Sequence, residues 1–182
     1  MLTARMHASG RLARMVLRDM LLTEFDHEMA VTRRLLACAP DDGGAWKPNE
    51  RCRSFVELGA HLVEILSWSA PILDGKGFEL DTRSELAAPA AESMASVRAA
   101  FADAARLARA RVDRTDGELG AVWTLRRGGE ELFTLPRAAA FRTFVLGHVV
   151  HHRGQLSVYL RLNGIAVPPI YGPTGDTPSV RL

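Results

Sequence analysis

The fold is decided by the stretch His148-Val149-Val150-His151-His152-Arg153-Gly154-Gln155-Leu156. His148 and His152 are four residues apart, a spacing that places two side chains on the same face of a helix. Apolar residues recur around them in steps of three and four, and both histidines occupy positions of this apolar stripe. Burying two unpaired imidazoles costs free energy, which a shared cation would offset. The spacing alone leaves two interpretations open: a metal site, or core histidines satisfied by hydrogen bonds.

A metal site requires a further ligand, because two residues of one helix hold an ion only weakly. His61 is the best candidate, since it shares a second apolar helical stripe with Leu58, Ile65 and Trp68. Inward-facing histidines from helices far apart in sequence can meet in the core of a helix bundle. Three protein ligands leave one coordination position open, which is typical of a reactive site. Without the other two histidines, His61 would be interpreted as a packed core residue.

The sequence leaves open the roles of several residues that lie near the three histidines. Glu64 follows His61 by three residues, so it either orients that ligand or acts as a general base, or it is an ordinary surface glutamate. His151 points about 100° away from His152. We expect it to be a partly exposed residue that is hydrogen-bonded to a carboxylate or a carbonyl. Gly154 is expected to permit close contact between helices.

The sequence as a whole predicts four helices, one of which carries His148 and His152, and one hairpin. Apolar periodicity and end signals favour helices over about residues 11–39, 54–74, 89–115 and 138–162. Ser54 and Glu57 form a capping-box pattern at the second start. Two short apolar runs around Gly128-Gly129 indicate a β-hairpin, and the proline-rich segment 167–176 is expected to pack without regular structure. The prediction is one all-α domain over residues 1–182, a four-helix bundle with a small β-hairpin inserted before the last helix.

Composition limits the classes of function. The 182 residues are 47% hydrophobic without a long unbroken apolar run, so we expect no membrane partner. The formal net charge of +2 and arginine clusters that lack interleaved aromatic residues argue against a nucleic-acid partner. Two cysteines, Cys38 and Cys52, exclude a disulfide framework. Such sparse cysteine use fits a reduced cytoplasmic setting. The first ten residues lack the apolar core of a secretory signal, so we do not expect a targeting peptide there.

Several segments carry a resemblance to a known family. They are Leu135-Pro136-Arg137, the histidine-rich string from Gly147 to Arg161, and Val167-Pro168-Pro169-Ile170-Tyr171-Gly172-Pro173, with further likeness around residues 46–48 and 61–64. The chain closely resembles the DinB family of damage-inducible proteins, the DinB/YfiT-like metalloenzymes. The resemblance implies a four-helix bundle that holds a divalent metal through His61, His148 and His152. It also implies a homodimer.

The same resemblance implies thiol chemistry. Characterised members include transferases that use low-molecular-weight thiols and a thiol-dependent maleylpyruvate isomerase. We therefore expect a metal-dependent transferase of detoxification or stress defence that acts on a small-molecule substrate, with Glu64 as the candidate catalytic residue. The alternatives are a metal-dependent hydrolase and a non-catalytic metal- or ligand-binding stress protein. Imidazole ligands favour zinc or nickel, with iron or manganese as alternatives.

Overall fold

The structure, a computed structural model, describes residues 16–42, 44–82 and 91–177. It is mainly helical, with α1 Leu17–Cys38, α2 Phe55–Ser67, α3 Ser69–Leu73, α4 Met94–Val112, α5 Asp116–Leu119, α6 Arg137–Phe141 and α7 Gly147–Leu162. Three short strands, β1 Gly77–Glu79, β2 Val122–Arg127 and β3 Glu130–Pro136, form one sheet. A π-helical turn, Arg142–Leu146, joins α6 to α7.

The ends of the first two helices follow from local chemistry. α1 ends at Cys38 because Ala39 precedes a proline and is therefore held extended, with a ψ of 131°. The predicted start of this helix, residues 11–15, lies outside the described residues. α2 begins with the predicted capping box: the Glu57 amide donates to Ser54 Oγ at 3.2 Å, and the Ser54 amide donates to Glu57 Oε2 at 2.7 Å. This cap fixes the start of the helix that carries His61.

Two predicted helices have different bounds in the structure. The second was expected to continue to residue 74, but it is interrupted at Trp68. Pro71 has no N–H to continue the hydrogen-bond ladder, and the Trp68 amide instead donates to Ile65 O at 3.2 Å in a tighter turn. The third predicted helix begins at Met94, after the capping residue Ser93, and residues 83–90 lie outside the described part of the chain.

The predicted hairpin is confirmed and is part of a larger sheet. β2 and β3 pair antiparallel, and the turn glycines Gly128 and Gly129 have φ values of 60° and 80°, as a two-residue primed turn requires. β1, which the sequence analysis missed, pairs in parallel with β2. A Cβ at Gly77 would lie 2.5 Å from the carbonyl oxygen of Thr124, so the close approach of β1 requires glycine there.

The four long helices pack against one another. Both α1 and α2 contact α4 and α7. Large side chains from different helices fill the space between them and are at most 1% exposed: Phe25, Phe55, Phe101 and Phe141. The tail packs as predicted, since Val167 is 1% exposed. Within the described ranges, none of the helices has the combined length and apolarity needed to cross a membrane.

Candidate metal centre

His61 from α2 and His148 and His152 from α7 lie together between these two helices. One ring nitrogen from each lies within 4.8 Å of the others. The Nε2 atoms of His148 and His152 are 2.9 Å apart, and the His61 ring centroid is 4.5 Å from that of His152. Two nitrogens that bind one ion at about 2.0–2.1 Å lie roughly 3 Å apart. The separations and the all-imidazole donor set therefore fit the ligands of one divalent cation.

The cluster is buried on one side. His61 is 5% exposed and His152 is 6% exposed, whereas His148 is half-buried. Three imidazoles in such a position need hydrogen-bond or metal partners, because an unsatisfied buried polar nitrogen costs free energy. Of the three histidines, His148 is the one with access to solvent.

Two of the histidines are oriented through their Nδ1 atoms. Glu64 Oε2 lies 2.8 Å from His61 Nδ1, and Gln155 Oε1 lies 2.9 Å from His152 Nδ1. A carboxylate and an amide oxygen can only accept here, so each neutral ring donates from Nδ1 and keeps its lone pair at Nε2. Partners of this kind orient histidine ligands in metal sites. The hydrogen bonds thus prepare His61 and His152 to bind a cation through Nε2.

His151 lies outside the ligand cluster and is exposed, as predicted. The prediction that His151 is hydrogen-bonded to a carboxylate or a carbonyl was wrong. The Gln155 amide donates from Nε2 to His151 Nε2 at 3.1 Å, while its oxygen accepts from His152. One glutamine therefore connects a surface histidine to a buried one.

The pKa of His152 is shifted in the direction that favours metal binding. Burial lowers this pKa from its usual value of 6.5, and neighbouring His61 and His151 lower it further, against the opposing effect of the Gln155 hydrogen bond. His152 is therefore neutral at physiological pH, and only the neutral ring can bind a metal.

A buried ion pair anchors the ligand helix to α1. Arg153, the residue after His152, is 1% exposed and donates from Nη1 to Glu28 Oε2 at 2.5 Å. Its Nη2 donates to the hydroxyl of Tyr171 at 2.5 Å, and that hydroxyl donates to Glu28 at 3.0 Å. The network joins α7, α1 and the tail.

Asp26 of α1 and Gly154 of α7 lie outside the centre. Asp26 of α1 pairs with Arg109 at the surface. Gly154 was expected to permit a close helix contact, and this is wrong, because a Cβ at that position would meet open space. It is an exposed residue of α7.

An apolar cavity lies on the other side of Trp68, and none of the three histidines lines it. Trp68 forms one of its walls, and the Trp68 ring centroid lies 5.3 Å from that of His148. Glu64 is not among the residues that line this cavity. Its hydrogen bond to His61 therefore gives it an orienting position, and its role as a general base stays a prediction.

Sequence reasoning missed the partner of His152 and the contact between Trp68 and His148. One signal for the first was present: Gln155 follows His152 by three residues, just as Glu64 follows His61. Residues at this spacing are neighbours on a helix surface. No local pattern indicates the second, because Trp68 and His148 are 80 residues apart in the sequence.

Comparison with known proteins agrees with this description of a mainly helical protein with a three-histidine candidate metal centre. The sequence matches the model of the DinB superfamily over residues 4–156. The chain belongs to the DinB superfamily. A search of curated proteins finds no match.

Two solved structures have the same fold. One is a DinB-like protein from Bacillus subtilis, with 19% sequence identity and a TM-score of 0.65; the match covers 84% of this chain and 97% of that one. The other is a DinB-like protein from Bacillus cereus, with 20% identity and a TM-score of 0.60; the match covers 83% of this chain and 95% of that one. At this level of identity the likeness concerns the fold alone.

Proposed function

We propose that this protein is a divalent-metal-dependent enzyme that transfers a low-molecular-weight thiol to an electrophilic small molecule. The observation that carries the proposal is the convergence of three imidazoles, two of which hold their Nε2 lone pairs ready through Nδ1 hydrogen bonds. Membership of the DinB superfamily supports it. The proposal includes the four-helix-bundle description of α1, α2, α4 and α7, a cytoplasmic location and a homodimer.

Each residue has a distinct task in this proposal. His61, His148 and His152 hold the cation, with zinc or nickel as the preferred metals and iron or manganese as alternatives. A bound cation of this kind supplies Lewis acidity, which lowers the pKa of a coordinated thiol or water. Glu64 keeps the ring proton of His61 on Nδ1 and thereby orients the ligand. Burial of the ligands excludes water from the far side of the centre.

A non-catalytic metal- or ligand-binding role is the second candidate. The observation that favours it is the apolar lining of the neighbouring cavity, which does not include Glu64. Metal-dependent hydrolysis remains an alternative within the enzyme class. The decisive experiment is an assay of thiol consumption by metal-loaded protein, purified without a histidine tag, against a panel of electrophiles and hydrolysable esters. If the thiol and ester reactions both proceed at the uncatalysed rate, the binding role becomes the better description.

Glu64→Gln should leave the metal content unchanged and slow turnover by about 10–100-fold. The amide oxygen can still accept from His61 Nδ1, but it no longer carries the negative charge that increases the basicity of the ring. Metal is measured by elemental analysis and turnover by thiol consumption. Glu50→Gln, at a surface position paired with Lys47, is the matched control. Full activity of the Glu64 variant would remove this residue from the mechanism.

Removal of the metal should lower the melting temperature. An ion shared by α2 and α7 stabilises only the folded chain, by about 4 kcal/mol at a thousandfold excess over its Kd. For a chain of 182 residues this corresponds to roughly 8–16 °C. Thermal melts with and without a chelator measure the shift. A chelator-insensitive melt of protein that is verified to contain metal would contradict a bridging role.

The contribution of neutral His152 to the free energy of unfolding should be lost in acid. Its folded pKa is lowered by burial, so the unfolded chain binds more protons than the folded chain at mildly acidic pH. This contribution is therefore present above about pH 6.5 and is lost as the pH falls through the folded pKa. Metal release acts in the same direction, because protonated imidazoles cannot bind the ion. Melts of metal-free and metal-loaded protein between about pH 5 and 8 should converge at the acidic end.

A further inference from the structure

A small cavity lies between the three-stranded sheet and the end of α2. Its walls include Trp68, Pro71, Ile72, Phe78, Trp123 and Phe144, and its volume is about 70 Å³. The described side chains that line it present only apolar surface to the space. The indole N–H of Trp123 donates to Pro71 O at 3.0 Å, so the donor of that ring is already satisfied by the protein. The cavity therefore offers shape and apolar contact without a polar partner.

The cavity is connected to the metal centre through the side chain of Trp68. Trp68 forms a wall of the cavity, and its ring centroid is 5.3 Å from that of His148. Phe144, another wall, precedes His148 by four residues on the same continuous helical segment. His148 is the half-buried ligand of the cluster. The Trp68 ring therefore touches both the cavity and the half-buried ligand candidate of the cluster.

We propose that the cavity binds an aryl group of the substrate whose reactive atom lies at the three-histidine centre. The inference rests on the proposed function, because it specifies the substrate class for the same site. An enclosed apolar cavity of about 150 Å³ binds benzene. At about 70 Å³, the present cavity accommodates one edge of such a ring. Aromatic rings in the walls favour an aromatic guest through edge-to-face and offset contacts. A charged substituent finds no partner inside, so charged groups of the substrate lie outside the cavity.

The binding part is tested with fluorobenzene as the probe, by fluorine NMR titration of chelator-treated protein. We expect saturable broadening of the fluorine signal that weakens at least about tenfold in Ile72→Phe and in Leu80→Phe, since each added ring occupies the cavity. Leu107→Phe, at a half-exposed position of α4, adds the same ring elsewhere and should bind like the unmodified protein. Leu80 is only partly buried, so its variant remains informative if Ile72→Phe fails to fold.

The position of the probe is tested by adding Co²⁺. The paramagnetic ion should increase the relaxation rate of bound fluorobenzene severalfold, because Trp68 lines the cavity and its ring lies 5.3 Å from that of His148. In His148→Ala this enhancement should disappear while fluorobenzene binding persists. Since the first titration is made without metal, its result is independent of whether the centre binds metal or catalyses a reaction.

Three outcomes would overturn the inference. The first is no saturable fluorobenzene binding to the unmodified protein. The second is equal binding by both cavity-filling variants and the Leu107→Phe control. The third is unchanged fluorine relaxation in protein that is shown to contain Co²⁺ and fluorobenzene together. None of these results would exclude a three-histidine metal enzyme, which would then act on a different class of substrate.

Discussion

His148→Ala is expected to lose the metal and all metal-dependent turnover. Removal of one of three protein ligands leaves an ion held by His61 and His152 alone, and two imidazoles compete poorly with water and chelators. Elemental analysis of protein purified without a histidine tag should fall from about one ion per chain to near the detection limit. The fold should persist in far-ultraviolet circular dichroism, because His148 is half-buried and much of α7 packs through other residues.

His151→Ala is the matched control for this experiment. It removes an imidazole from the same turn of α7, but from an exposed position outside the ligand cluster. We expect normal metal content and at most a small change in affinity through Gln155. If the two variants lost metal to the same extent, the assignment of ligands by geometry would be wrong.

Glu28→Ala is expected to destabilise the protein by about 3–5 kcal/mol, because it leaves the Arg153 guanidinium buried without its charged partner. Arg153 is 1% exposed and cannot turn to solvent without disrupting α7. Urea denaturation followed by circular dichroism measures the free energy of unfolding. Asp26→Ala removes the carboxylate of an exposed pair with Arg109 and should cost at most about 1 kcal/mol.

A double variant separates the charge effect from simple loss of packing. Glu28→Leu combined with Arg153→Met removes both buried charges and keeps apolar volume, so it should be less destabilising than Glu28→Ala alone. Unfolding free energies of the double variant and the single variant provide the comparison. A double variant that is the less stable of the two would show that the hydrogen bonds to Thr32 and Tyr171 dominate the network.

Local patterns predicted the parts of this protein that depend on local physics. The capping box at Ser54 and Glu57, the stop before Pro40 and the primed turn at Gly128-Gly129 involve residues that are close in sequence. The helical phase placed the three histidines on inward faces for the same reason. Their convergence needed only one further assumption, that the two inward faces pack against each other, which the contacts between α2 and α7 confirm.

The features that sequence analysis missed depend on tertiary contacts. β1 has three residues, too few to show periodicity, and it exists because β2 supplies its hydrogen-bond partners. The π-helical turn adds a residue to a helix whose apolar pattern predicts regular geometry. The burial of Arg153 depends on Glu28 and Tyr171, neither of which is near it in the sequence. Each feature needs a partner that is distant along the chain or an irregularity imposed by packing.

The buried guanidinium also constrains the order in which the chain can assemble. Its bond to Glu28 closes a loop of 125 residues, whereas its bond to Tyr171 spans only 18. Closing a long loop costs chain entropy before any contact compensates for it, so contacts of this kind form late in folding. The chain must therefore be synthesised at least as far as Arg153 before the helix that carries His148 and His152 can be joined to α1. We therefore expect the candidate metal centre to form late in folding, and a nascent chain that stops short of this helix has only His61 of the three ligands.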